Sequence, residues 1–150
     1  MDELIKKILV NISSVLTDTD QSFIENVLKR LVSFGYSLKE DDDDFAISFA
    51  IQKVENHIKN FCHVSTIPDG LHPAMVDAIC GEFLLMKKQT GQLCITDLDL
   101  TNEAVTSIKE GDTTVQFASG DSNGVKLDKF IAYLINSVKG DLVCYRKLKW

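Results

Sequence analysis

No stretch of this chain approaches the ~20 consecutive apolar residues needed to cross a bilayer, so the sequence offers no membrane anchor. It lacks a basic excess as well: the formal net charge is −6, which argues against wrapping nucleic acid, because phosphate contacts need a basic face. An acidic surface would still suit a conduit through which DNA slides without sticking. There is no CxxC pair; Cys62, Cys80, Cys94 and Cys144 are scattered, which speaks against a disulfide framework. The eight glycines fall singly, so no phosphate-cradling loop is present, and no GxSxG turn marks a nucleophile. Internal repeats and low-complexity tracts are missing too. The opening MDELIKKILVNISSVLTDTD is amphipathic and acidic at its start, unlike a secretory signal, so a cytoplasmic setting is expected.

With 45% hydrophobic and 25% charged residues, the composition is that of a globular protein, and 150 residues suffice for one domain with its own core. Apolar spacing predicts about five helices. The first carries Leu4, Ile5, Ile8, Leu9, Ile12, Val15 and Leu16 on one stripe. Thr17–Asp20 offers N-caps for the second, which carries Phe23, Ile24, Val27, Leu28, Leu31 and Val32 and stops at Gly35. These two read as a helical hairpin over residues 1–40.

The third helix, Phe45–Asn60, follows Asp41–Asp44. Four carboxylates in a row suggest a cation site, but calcium loops space their ligands and include a glycine. The simpler reading is that the aspartates cap the helix and favour its positive end. Ile47, Ile51, Val54, Ile58 and Phe61 step in the 4-3-4-3 pattern of a helix seam, with Phe45, Phe49 and Ala50 widening the stripe. A turn at Ile67-Pro68-Asp69-Gly70 leads to a fourth helix entered near Pro73, with Met75, Val76, Ile79, Cys80, Phe83 and Leu84 as its inner face. Lys87 and Lys88 suit its C-terminal end. Gly81 inside it is unfavourable by about 1 kcal/mol relative to alanine, which implies close helix approach there.

Gly91–Glu103 reads as a linker. Ala104–Phe117 then reads as a β-hairpin inside a helical chain: Thr113, Val115 and Phe117 alternate with Thr114 and Gln116, and Gly111 supplies the turn. Such a ribbon is marginal alone and must lean on its own helices or on another chain. Ser119–Gly124 is the stretch expected to be most flexible. The last helix carries Leu127, Phe130, Ile131, Leu134, Ile135 and Val138, and Asp141–Trp150 closes the chain. The fold class expected is thus mainly α, a helical bundle with one hairpin inserted before the last helix, in a single domain.

His57, Cys62 and His63, with His72 and Cys80 further on, do not make the paired spacing of a zinc site. The tail is the better signal. Tyr145, Arg146, Lys147, Lys149 and Trp150 crowd into the last six residues, and aromatics and arginine dominate binding hot spots. The competing reading is a basic tail lying on its own domain at a helix end.

The order DDFAISFAIQKVENHIKN, IPDGL, VDAICGEFLLMKKQTGQL, SIKEGDTTVQF and the closing YRKLKW resembles the head–tail connector (head-completion adaptor) proteins of tailed bacteriophages and defective prophages, over about Asp41–Trp150. The resemblance implies a virion protein without enzymatic activity or cofactor, assembled in the bacterial cytoplasm at the head–tail junction. It would form a ring, typically twelve-fold, beneath the portal protein, meet a stopper or tail-completion protein, and let DNA pass through its lumen. Carried over by position, Tyr145, Arg146, Lys147, Leu148, Lys149 and Trp150 would dock in the portal. Ile108, Lys109, Glu110, Gly111, Asp112, Thr113, Val115 and Phe117 would meet a neighbouring subunit or the tail-side partner. Deleting Asp141–Trp150 is then expected to abolish portal binding and spare the helices. The alternative is a non-viral helical adaptor or regulatory module that binds a protein partner through the same tail. A small metal-dependent enzyme using Asp41–Asp44 or the His57–His63 cluster is the third reading.

Overall fold

Six α-helices and a two-stranded ribbon make up the described part of the molecule, seen in a computed structural model that describes residues 1–13, 20–93, 98, 107–110, 113–116 and 123–148. The chain is mainly helical, as its apolar spacing predicts. Helix α1 spans Asp2–Ile12, α2 Gln21–Ser33 and α3 Asp44–Cys62. A 3-10 turn at Asp69–Leu71 opens into α4, His72–Gln89. Strands β1 (Ser107–Glu110) and β2 (Thr113–Gln116) precede α5 (Asn123–Asn136) and α6 (Lys139–Tyr145).

Local chemistry sets the ends. The Asp20 side chain accepts from the Phe23 amide at 2.8 Å and caps α2. Past its C-terminal end Gly35 takes φ 89°, which only glycine adopts without strain. Pro73 sits in the first turn of α4, where its missing N–H costs nothing. Val15 and Leu16 of the first predicted stripe, the Ser119–Ser122 part of the flexible stretch, and most of the Gly91–Glu103 linker lie outside the described residues; Asn123 and Gly124 already belong to α5.

One apolar cluster holds the bundle together. Leu4 and Ile8 of α1, Leu28 and Leu31 of α2, Ile47, Ile51 and Ile58 of α3, Phe83 of α4 and Phe130 of α5 are all fully buried within it. Helix α1 packs on α3 as well as on α2, so both helices within residues 1–40 are part of the bundle. Helix α4 is central, touching α2, α3 and α5. Gly81 explains how α5 comes so near: a Cβ there would lie 2.8 Å from Ile135 Cγ1 and 2.9 Å from Leu134 Cβ.

Three expectations need correction. Val32 is not part of the buried face of α2: it lies beyond the edge set by Ile24, Leu28 and Leu31 and is 47% exposed. Phe45 and Phe49 do not widen the buried stripe of α3; they lie on its opposite face, 71% and 47% exposed. At 100° per residue they fall far from Ile47, Ile51, Val54 and Ile58, and the flanks of that seam are taken by Ala50, Ser48 and Glu55. Asp43 does not cap α3 with its side chain. It is fully buried and turned inward, toward Lys87, whose ammonium lies 2.6 Å away.

Candidate functional site

The predicted hairpin forms over its described residues, Ser107–Glu110 and Thr113–Gln116; residues 104–106 of the predicted span lie outside them. Its strands pair antiparallel in the register Ser107 to Gln116, Ile108 to Val115, Lys109 to Thr114 and Glu110 to Thr113. The sheet among the described residues has these two strands only, and β2 touches α5. Gly111, Asp112 and Phe117 lie outside the described residues. Each outer strand edge carries backbone donors and acceptors that a further strand could pair with.

The C-terminal segment begins as helix α6. Lys139–Tyr145 is helical because Leu142 is an apolar residue that the bundle can bury, and it does so against α3. Several contacts fasten the residues around and after this helix. The Lys147 amide donates to the Cys62 carbonyl at 2.9 Å, and the Cys62 thiol points at the Leu142 carbonyl at 3.5 Å. The Arg146 guanidinium lies over the Phe61 ring, 5.1 Å from its centroid. The Tyr145 hydroxyl rests on Gly70, where any Cβ would collide with it. The last described residue, Leu148, is 78% exposed, and Lys149 and Trp150 lie beyond the described residues. So the tail combines both readings of the sequence. Its first half lies on its own domain, as far as Lys147, and Leu148 is turned to solvent.

The other chemistry-bearing residues are dispersed. The four aspartates diverge: Asp41 meets Lys7 at 2.6 Å, Asp43 meets Lys87, and Asp44 accepts from Asn11 at 3.3 Å. The hydrogen bond from Lys7 holds the Asp41 carboxyl below its ordinary range, and Asp41 in turn raises Lys7. His57 and His63 are exposed, and Cys62 is buried beneath the tail. Among the described residues no cluster of three or more histidine, cysteine or carboxylate side chains is placed to hold a metal. Burial pushes the Cys62 thiol up, with Arg146 opposing, and burial followed by the nearby Asp77 pushes Cys80 up strongly.

Concavities lie between the helices. A cleft of about 630 Å³ runs between α2 and the start of α4, past Phe23, Asn26, His72 and Asp77. Its cationic wall is partly neutralised, since Arg30 Nε binds Asp77 at 2.7 Å. A second groove, about 460 Å³, has Val54, Ala78, Ile135 and Val138 along it and Lys53, His57, Glu82 and Lys139 at its margins. The sequence did not point to either, because each is made by helices distant in the chain. No described helix is long and apolar enough to span a membrane. Comparison of the chain with protein-family models, curated proteins and solved structures found no match.

Proposed function

We propose that this protein is a structural adaptor of a phage-type particle, a ring component that joins the portal protein of the head to the tail. The observation that carries the reading is the C-terminal segment. A short helix is pinned to the bundle through Leu142. Arg146 and Lys147 are held to the end of α3 by the Phe61 ring and the Cys62 carbonyl with their side chains exposed, and Leu148 after them is 78% exposed. An anchored base with a projecting end is what a docking peptide requires, since fixing the base lowers the ordering cost of binding. The resemblance in residue order over Asp41–Trp150 supports the same reading, and the two-stranded ribbon supplies a second element able to reach another chain.

In this proposal Tyr145–Trp150 faces the portal, Ile108–Phe117 faces a neighbouring subunit or the tail-side protein, and repetition around the ring makes modest contacts sufficient. The test is electron microscopy of the purified protein mixed with portal particles. A ring of added density beneath the portal, lost when Leu148–Trp150 is removed, is the expected result. Portal particles that stay bare at saturating concentration overturn it.

A further inference from the structure

We propose that two copies of this chain pair about a two-fold axis through the outer face of α3, the aromatic half of one helix row meeting the basic half of the other. Residues Phe45, Phe49, Lys53 and His57 are spaced four apart and so form one ridge along α3. Its first half is apolar. The two phenyl rings are exposed and stack on each other, centroids 6.4 Å apart and 24° from parallel. Asp41 and Asp44, just before them in sequence, are engaged on the α1 side by Lys7 and Asn11, so the character of the row at this end is aromatic.

The second half borders the 460 Å³ groove. Its floor residues Val54 and Val138 are buried and Ile135 is half-buried, so an apolar group entering it would be shielded from water. Its margin carries Lys53, His57 and Lys139 against the single acid Glu82, which already binds Lys53 at 2.9 Å. One end of the ridge therefore presents paired aromatics. The other presents an apolar groove with a cationic rim.

These halves are complementary, and they lie on one helix. Running two copies antiparallel about a point between residues 49 and 53 sets Phe49 against Lys53 of the second copy and Phe45 against His57 of the second copy. The same operation brings each aromatic pair to the rim that carries Lys53 and Lys139, and cations over aromatic faces are favourable. A head-to-tail contact would need its two patches on different sides of the subunit; two patches on one ridge are satisfied by a single self-complementary, isologous contact. A second copy is thus the occupant. The contact is independent of the proposed ring, whose neighbours must use other surfaces.

Sedimentation of the intact protein without portal, across the micromolar range, tests this. A monomer–dimer equilibrium is expected. Phe49→Lys sets lysine against lysine at two symmetric places and should weaken the dimer by about tenfold or more. Phe49→Lys combined with Lys53→Phe re-creates the opposition of ring and cation, and should recover dimer. Both side chains lie on the outer face, and circular dichroism checks that each variant keeps its helices. A protein that stays monomeric throughout overturns the pairing, as does a dimer indifferent to Phe49→Lys, or a double variant no better than the single. A closed ring as the sole assembly also overturns it, while leaving the adaptor reading intact.

Discussion

Asp43, at the mouth of α3, and Lys87, near the end of α4, form a buried ion pair with Nζ and Oδ1 2.6 Å apart. The Tyr36 hydroxyl donates to both Asp43 oxygens at 3.1 Å, and the Lys39 amide donates at 2.8 Å. Lys87 also donates to Gln92 at 3.1 Å and lies over Phe83. Removing one partner leaves the other charge dry, at a cost of about 3–5 kcal/mol. Lys87→Met is expected to lose that much in urea unfolding. Asp43→Asn keeps neutral hydrogen bonds, so the double variant should be less destabilised than the sum of the singles by about 1 kcal/mol or more.

Gly81→Ala sets helix propensity against packing. Alanine returns at most about 1 kcal/mol in a helix interior, whereas overpacking costs about 1–3 kcal/mol. The obstruction includes the Ile135 backbone nitrogen at 3.0 Å, which cannot rotate away. Packing therefore wins, and the variant should lose about 1 kcal/mol in denaturant unfolding.

The pair Lys7 and Asp41 fixes a pH dependence. Asp41 is lowered in the folded protein, so its contribution is present above the unfolded carboxylate pKa of about 3.9 and is lost as pH falls through the folded value. Lys7 is raised, so its share is full below the unfolded value of about 10.4 and is lost as pH climbs through the folded one. Asp41 is solvent-exposed, and salt should weaken the effect. A carboxyl titration by NMR is expected to show Asp41 returning toward about 3.9 in Lys7→Met.

How far the sequence revealed all this depends on the range of each signal. The described part of the α1 stripe, the α2 stripe apart from Val32, the α4 stripe, the Asp20 cap, the Pro73 start and the close approach at Gly81 are set within a turn or two, and periodicity reveals them. The third stripe misleads at Phe45 and Phe49, because large apolar side chains suggest an inward face while their angle on the helix sets them opposite Ile47 and Ile51. The partnership of Asp43 with Lys87 spans most of the bundle, and no local rule connects them. The helix Lys139–Tyr145 escaped notice because one buried residue, Leu142, decides it. The groove between Val54 and Ile135 exists only once α3, α4 and α5 are assembled.

Thiol labelling should separate the cysteines. Cys144 is exposed, whereas Cys62 and Cys80 are buried and their thiols are pushed up. The thiolate is the reactive form, so both obstacles act in the same direction. In a Cys94→Ser background, Ellman's reagent at pH 8 is expected to modify Cys144 alone until denaturant is added. Rapid modification of Cys62 in the native protein would contradict its place beneath α6.

That place makes the tail testable in two steps. Ending the chain after Lys147 removes Leu148, Lys149 and Trp150 but keeps Leu142, the Lys147 hydrogen bond and the ring of Phe61 covered by Arg146. Its unfolding midpoint should match that of the full chain, and any loss of portal binding can be assigned to the removed end. Ending it after Gly140 also strips Leu142 from Cys62, so deleting Asp141–Trp150 does not leave the bundle untouched. Exposing a buried leucine site costs about 2–5 kcal/mol, and that truncation should both melt earlier and admit Ellman's reagent to Cys62. Equal midpoints for the two truncations would show that α6 contributes nothing to the bundle.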